Sequence, residues 1–356
     1  MKSIQRVAFC RDYGHLIDVL SSFVIARKVL LVHGHKSYWS CGAKALIDDF
    51  FSHLGTAIVE FDNFSENPKK EDVDKGIALL IQESPEMIIS VGGGSVMDMA
   101  KLMRFYSHLE IPLLAVPTTA GTGAESTQFA VCYIDGVKHS INDPSILPDS
   151  VILYPPFTYQ NSLYLTSCTG FDALAQAIES FWNIHATKES DTFALSAIYQ
   201  IFPILGKERL SPEDRSALML GANDAGKAIN ITRTTVPHAL SYTLTSKYGY
   251  PHGHAVALCF PFFFNYYLEG KANAYRGDDY ENYLSKMNLL RSLLNVGQDP
   301  FMFMKEYIHR LGLGFDPIRD FEDHVVASGL NAERAGNTPI AINEEVILMA
   351  VKSIRY

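Results

Sequence analysis

The chain has 356 residues, 47% of them apolar and 19% charged, with a formal net charge of −9. That length implies two domains rather than one small core, and the acidic balance excludes a general nucleic-acid or anionic-membrane binder. Five scattered cysteines, Cys10, Cys41, Cys132, Cys168 and Cys259, never form a CxxC pair, which excludes a disulfide framework and suits a reducing cytoplasm.

The start, "MKSIQRVAFC", has no apolar run of signal-peptide length. The longest apolar stretch, residues 255–264, is far too short to span a bilayer. The expectation is a cytoplasmic protein with no membrane partner. Along residues 1–158, "KVLLV" (28–32), "AIVEF" (57–61), "MIISV" (87–91), "PLLAV" (112–116) and "SVILY" (150–154) read as short apolar strands between helical stretches. Continuous apolar strands of this kind form a parallel sheet covered on both faces. "AFC" near the start and "FAVCYI" (129–134) are expected as edge strands.

Two glycine-rich turns follow strands. In "SVGGGSVMDMAK" (90–101), Gly92, Gly93 and Gly94 let a ligand approach the backbone, with Ser95 expected to cap the next helix. A helix N-terminus there favours a phosphate. Asp98 stands either at the ligand or in a capping arrangement with Ser95. "VPTTAGTGAES" (116–126) adds Thr118, Thr119 and Thr122 at another strand end, where open α/β sheets bind ligands. In "VLLVHGHKS" (29–37), Gly34 stands where a dinucleotide fold often keeps an acid for the ribose. Gly34 leaves room, and Lys36 with Ser37 would receive a 2′-phosphate, so NADPH is favoured over NADH.

Residues 159–356 read as helical almost throughout, which makes the fold class α/β plus all-α, with a cleft between the domains as the default ligand site. "FDALAQAIES" (171–180) puts Asp172 on a helix, and "SPEDRSALMLGANDAGKAI" (211–229) begins with Ser211 as N-cap and Pro212 behind it. "PHALSYTLTSKYGYPHGHAVAL" (237–258) carries His238, His252 and His254. Asp172 with His238 and His252 would make a divalent-metal site with open positions for water or a substrate oxygen.

In this order, "GGGSVMDMAK", "PTTAGTGAES", "FDALAQAIES" and "PHALSY…YPHGHAVAL" resemble the iron-containing alcohol dehydrogenase family over essentially the whole chain. The resemblance implies a Rossmann-like domain over 1–158, a helical domain over 159–356, and a divalent metal (Fe2+ or Zn2+) facing a nicotinamide. It puts Asp172, His238 and His252 on three ligand positions. The fourth, usually His, is Gln176, which either ligates weakly through its amide oxygen or hydrogen-bonds a metal-bound water. Tyr242 replaces another frequent His, and Tyr242 or His254 is expected to relay a proton or line the pocket.

Within the family the chain is most similar to phosphonoacetaldehyde reductases, with Lys247, Arg233 and His254 as candidate cations for a phosphonate. The implied activity interconverts a small aldehyde and its primary alcohol in a homo-oligomer. The alternatives are a metal-dependent lyase or cyclase resembling dehydroquinate synthase, and a non-catalytic nucleotide-binding member.

Overall fold

A computed structural model of the chain describes residues 4–355. They form two compact units: one runs through Asn161 and includes Leu210–Asn223, and the other holds Ser162–Arg209 and the chain from Asp224 on.

The first unit is built from β1 (Arg6–Phe9), α1 (Tyr13–Phe23), β2 (Lys28–His33), α2 (Ser37–Ser40), α3 (Ala43–Leu54), β3 (Ala57–Phe61), α4 (Lys70–Glu83), β4 (Met87–Gly92), α5 (Gly94–Ser107), β5 (Leu113–Pro117), β6 (Phe129–Ile134), β7 (Val137–Asn142) and β8 (Ser150–Leu153). Six strands make a parallel sheet in the order β1-β8-β5-β4-β2-β3. Successive strand residues point to opposite faces, and here both faces are buried. Val29, Leu31, Ile89 and Val91 pack with Leu16, Leu20 and Phe50, while Leu30, Val32 and Ile88 pack with Val73, Met99 and Met103.

"FAVCYI" does not extend this sheet. It is β6, paired antiparallel with β7 in a separate two-stranded sheet. The cause is local: Asp135 and Gly136 both have positive φ (51° and 77°) and close a two-residue hairpin between Ile134 and Val137.

The helices that follow are α6 (Leu163–Trp182), α7 (Lys188–Ile201), α8 (Pro212–Thr232), α9 (Val236–Tyr248), α10 (His252–Glu269), α11 (Tyr280–Leu294), α12 (Pro300–Arg310), α13 (Asp323–Ser328), α14 (Ala332–Ala335) and α15 (Glu344–Ser353). Ser211 caps α8 as its sequence implies, accepting from Asp214 N at 3.2 Å while Asp214 Oδ2 accepts from Ser211 N at 3.0 Å. The first half of α8 belongs to the first unit, so a single cut at 158/159 does not describe the chain. Side chains explain this: Arg215 donates to Asn161 O at 3.0 Å, and Asn223 donates to Ser126 Oγ at 2.6 Å.

In the second unit α6 is buried along most of its length and packs against α7 and α10. Its aromatic core joins Phe171 edge-on to Phe260 (5.5 Å), with Trp182 stacked on Phe260 (5.6 Å) and edge-on to Tyr267 (4.9 Å). Truncating a fully buried ring such as Phe260 to Ala costs about 3–5 kcal/mol. No helix of the described residues is long and apolar enough to cross a membrane.

Candidate metal centre and nucleotide cradle

Asp172, Gln176 and Glu179 lie at helical spacing along one face of α6, and all three are buried. His238 enters from the first turn of α9 and His252 is the first residue of α10. One ligand atom from each of Asp172, His238 and His252 lies within 4.8 Å of the others. Asp172 Oδ1 is 3.0 Å from His238 Nε2 and 3.7 Å from His252 Nε2.

Gly253 permits this convergence. A Cβ at Gly253 would stand 1.9 Å from Cys168 O, so only glycine lets α10 seat flush on α6 beside Asp172. Glu179 sits behind the cluster, its Oε1 2.8 Å from His238 Nδ1 and its Oε2 accepting from Thr235 N. A carboxylate on the far nitrogen turns the near one towards a metal. The sequence reading missed Glu179, although its place one turn beyond Gln176 on the Asp172 face was the signal.

The donors fit a divalent cation. Burial alone would lower the pKa of His238, but the Glu179 and Asp172 carboxylates outweigh it and push it up to about 9. Two buried carboxylates around one imidazole attract positive charge, which a divalent ion satisfies better than a proton. One carboxylate and two imidazoles are a set that iron and zinc accept.

The remaining expected residues have specific places. Gln176 donates its amide N–H to Asp172 Oδ2 at 3.3 Å and so braces the ligand carboxylate. The half-buried Tyr242 ring stacks on His252 at 6.1 Å, and burial raises its pKa further from neutrality. It serves as a wall better than as a base. His254 is turned away from the cluster: its Nε2 is 2.9 Å from Gly314 O and therefore carries the proton, while its Nδ1 accepts from Tyr164 Oη at 3.0 Å. Burial pushes its pKa down. Both nitrogens are engaged, so His254 positions Tyr164, in contrast to the proton relay expected of it.

In the first unit, β5, β4 and β2 are neighbours, and their registers pair Gly92 with Pro117 and Val91 with His33. The turns after these strands therefore lie side by side at the carboxyl edge of the sheet. A Cβ on Gly94 would press on Thr122 at 3.1 Å, one on Gly93 would meet Thr119 at 3.5 Å, and one on Gly34 would meet Ser37 and Val96 at 3.4 Å. Thr118 Oγ1 is buried without a hydrogen bond among the described residues. Lys36 and Ser37 open α2 just after Gly34.

Ser95 does not cap α5, because the helix starts two residues earlier than expected, with Gly93 at the cap and no side chain on it. The first turn of α5 therefore has no side-chain cap, as a helix N-terminus that receives an anion requires. Asp98 Oδ2 accepts from Val131 N at 3.0 Å and so holds β6 on α5.

Two family models match in succession: the iron-containing alcohol dehydrogenase model over residues 10–155, and that family's C-terminal model over 166–294. An NADPH-dependent butanol dehydrogenase from Clostridium saccharobutylicum is 26% identical over 93% of this chain and 92% of its own length. A phosphonoacetaldehyde reductase from Streptomyces viridochromogenes is 32% identical over 48% of this chain and 50% of its own. The chain spans less than two thirds of several curated relatives it matches, as with 62% of a long-chain-alcohol dehydrogenase from Geobacillus thermodenitrificans, which is 28% identical over 62% of this chain. Among solved structures, an iron-containing alcohol dehydrogenase from Thermotoga maritima superposes with a TM-score of 0.81 at 25% identity, covering 98% of this chain and 97% of its own. The chain belongs to the iron-containing alcohol dehydrogenase family.

Proposed function

We propose that the protein reduces a small aldehyde to its primary alcohol, using a divalent metal and NADPH, with phosphonoacetaldehyde as the substrate. The observation that carries this reading is the cluster of Asp172, His238 and His252 with Glu179 behind it. The substrate follows from the similarity to the Streptomyces phosphonoacetaldehyde reductase. Gly34 supports NADPH, since glycine leaves space for a 2′-phosphate beside Lys36 and Ser37.

When bound, the cation supplies Lewis-acid polarisation of the carbonyl and the nicotinamide supplies the hydride. The chain's own residues do the rest. Asp172, His238 and His252 hold the cation, Gln176 braces the Asp172 carboxylate, and Glu179 keeps His238 oriented. Tyr242 stacks on His252 and shields it. The turns at Gly34, Gly92–Ser95 and Thr118–Thr122 seat the nucleotide. The protein is expected to assemble as a homo-oligomer.

The test is NADPH oxidation by metal-reconstituted protein across a panel of short aldehydes, together with elemental analysis of Asp172→Ala. Turnover that depends on added metal, with no metal retained by the variant, is expected. A variant that keeps full metal occupancy would refute the ligand set. Wild-type protein that stays metal-free under replete conditions would favour a non-catalytic role, and a product formed without net NADPH consumption would favour a lyase.

A further inference from the structure

Outside the metal cluster, the cations of the second unit differ in what they touch. Arg233 is paired with Glu333, and Lys247 lies exposed in the last turn of α9. Lys305 lines a cavity of about 520 Å³ walled by α10, α12 and the residues that end α15. Volumes of this order suit a small organic ligand.

One face of each helix builds this cavity. On α12, Phe301, Lys305, Ile308 and His309 recur at spacings of three and four residues and so share a stripe. On α10, Ala257, Leu258 and Pro261 continue the stripe that begins at His254. His252, two residues before His254, stands about 160° away around α10, which keeps the cavity apart from the cluster of Asp172, His238 and His252. Gly314 and Phe315 also line it, and Gly314 O is the acceptor that holds His254 Nε2.

The lining is largely hydrocarbon, and its charged side chains are of one sign. Lys305, His309 and Arg355 line the cavity, and no Asp or Glu does among the described residues. Arg355 is committed, because Asp320, Asp323 and the Phe321 carbonyl take its guanidinium. Lys305 has no hydrogen bond or ion pair among the described residues. Its Nζ lies 5.6 Å from the centroid of the Phe301 ring, a wall of the same cavity, and burial pulls its pKa down. A half-buried ammonium with no acceptor is stabilised by a ligand that brings a negative charge.

We propose that this cavity is a second ligand site that takes an organic carboxylate with an apolar body, the carboxylate on Lys305 Nζ and the body among Phe301, Phe315, Leu258 and Pro261. A carboxylate supplies the acceptor oxygens that Lys305 lacks, and the hydrocarbon walls favour an apolar body over a small hydrated anion. The site goes beyond the reductase reading and does not rest on it, since none of these residues belongs to the metal or nucleotide positions.

The test is calorimetric titration of the metal-loaded full chain with octanoate and with 3-phenylpropanoate, each compared with its neutral amide. At least one carboxylate should bind, about tenfold or more tighter than its amide. Lys305→Met should remove that advantage, Lys305→Arg should keep most of it, and Asp172→Ala should leave it intact. Bound carboxylate should also protect Lys305, and not Lys247, from acetic anhydride, read by peptide mass spectrometry. No binding of either acid, equal affinity for acid and amide, or an advantage that survives in Lys305→Met would each overturn the proposal. Binding that disappears in Asp172→Ala and leaves Lys305 unprotected would put the carboxylate on the metal and overturn it as well. None of these readouts depends on turnover, so failure of the reductase reading would be seen separately.

Discussion

Glu179 shows how much one side chain outside the ligand set controls. It accepts twice, from the His238 ring and from Thr235 N. Glutamine at this position has one acceptor oxygen and a donor amide, so it cannot serve both neighbours. Glu179→Gln should therefore weaken divalent-metal affinity about 10- to 100-fold, read by chelator competition, with little change in overall structure. At Gln176 the opposite change is informative. Gln176→His would replace a neutral amide with imidazole and should raise affinity for zinc above wild type in the same competition. In the nucleotide cradle, a side chain at Gly34 meets Ser37 and Val96 only at 3.4 Å, so a small acid fits with slight adjustment. Gly34→Asp should shift the ratio of kcat/KM for NADPH over NADH by about tenfold or more towards NADH, through repulsion of the 2′-phosphate.

At the scale of elements, the metal cluster depends on how closely two helices approach. The Gly253 contact with Cys168 O involves backbone on the α6 side, which cannot swing aside as a flexible side chain would. Gly253→Ala should push α10 from α6, separate His252 from Asp172, and lower both metal occupancy and the unfolding temperature. Circular dichroism melts with metal analysis would read both losses. A second element-scale device pins β6 to α5. Lys101 is fully buried and donates to Phe129 O at 2.9 Å and Thr127 Oγ1 at 3.2 Å, while Asp98 accepts from Val131 N.

Burial lowers the Lys101 pKa from 10.5 to about 8, with Asp98 and Glu125 opposing that fall. Between those two values the unfolded chain binds more protons than the folded one, so this group makes stability rise with pH across that window. In urea melts, the stability of wild type relative to Lys101→Met should therefore increase from pH 8 towards 10.5. A flat difference would contradict the assignment.

At the scale of the whole molecule, the two proposed ligands belong to different compact units. The proposed nucleotide contacts fall on the turns after β2, β4 and β5, whereas the candidate metal donors come from α6, α9 and α10. Binding to native structure stabilises the structure that binds. Hydrogen exchange should then show metal slowing amide exchange chiefly in α6, α9 and α10, and NADPH slowing it chiefly at the Gly34, Gly92–Ser95 and Thr118–Thr122 turns. Uniform protection by either ligand alone would mean that the units do not respond separately.

The amino-acid sequence by itself determined the parallel-sheet strands, the α8 cap, the glycine turns and the choice of Asp172, His238 and His252. Each of these is written in local apolar runs, capping residues or motif spacing, which act over a few residues. The Asp135–Gly136 hairpin was equally legible as an Asp-Gly turn signal, yet "FAVCYI" read as an edge strand because its apolar run looks the same in either sheet. Tertiary structure alone decided the jobs of polar side chains. Glu179 became a brace because α9 brings His238 across from it, and His254 became an anchor because Gly314 and Tyr164 take its two nitrogens. Hydrogen bonds between residues 59 to 90 positions apart depend on helix packing, and no pattern confined to one segment contains that packing.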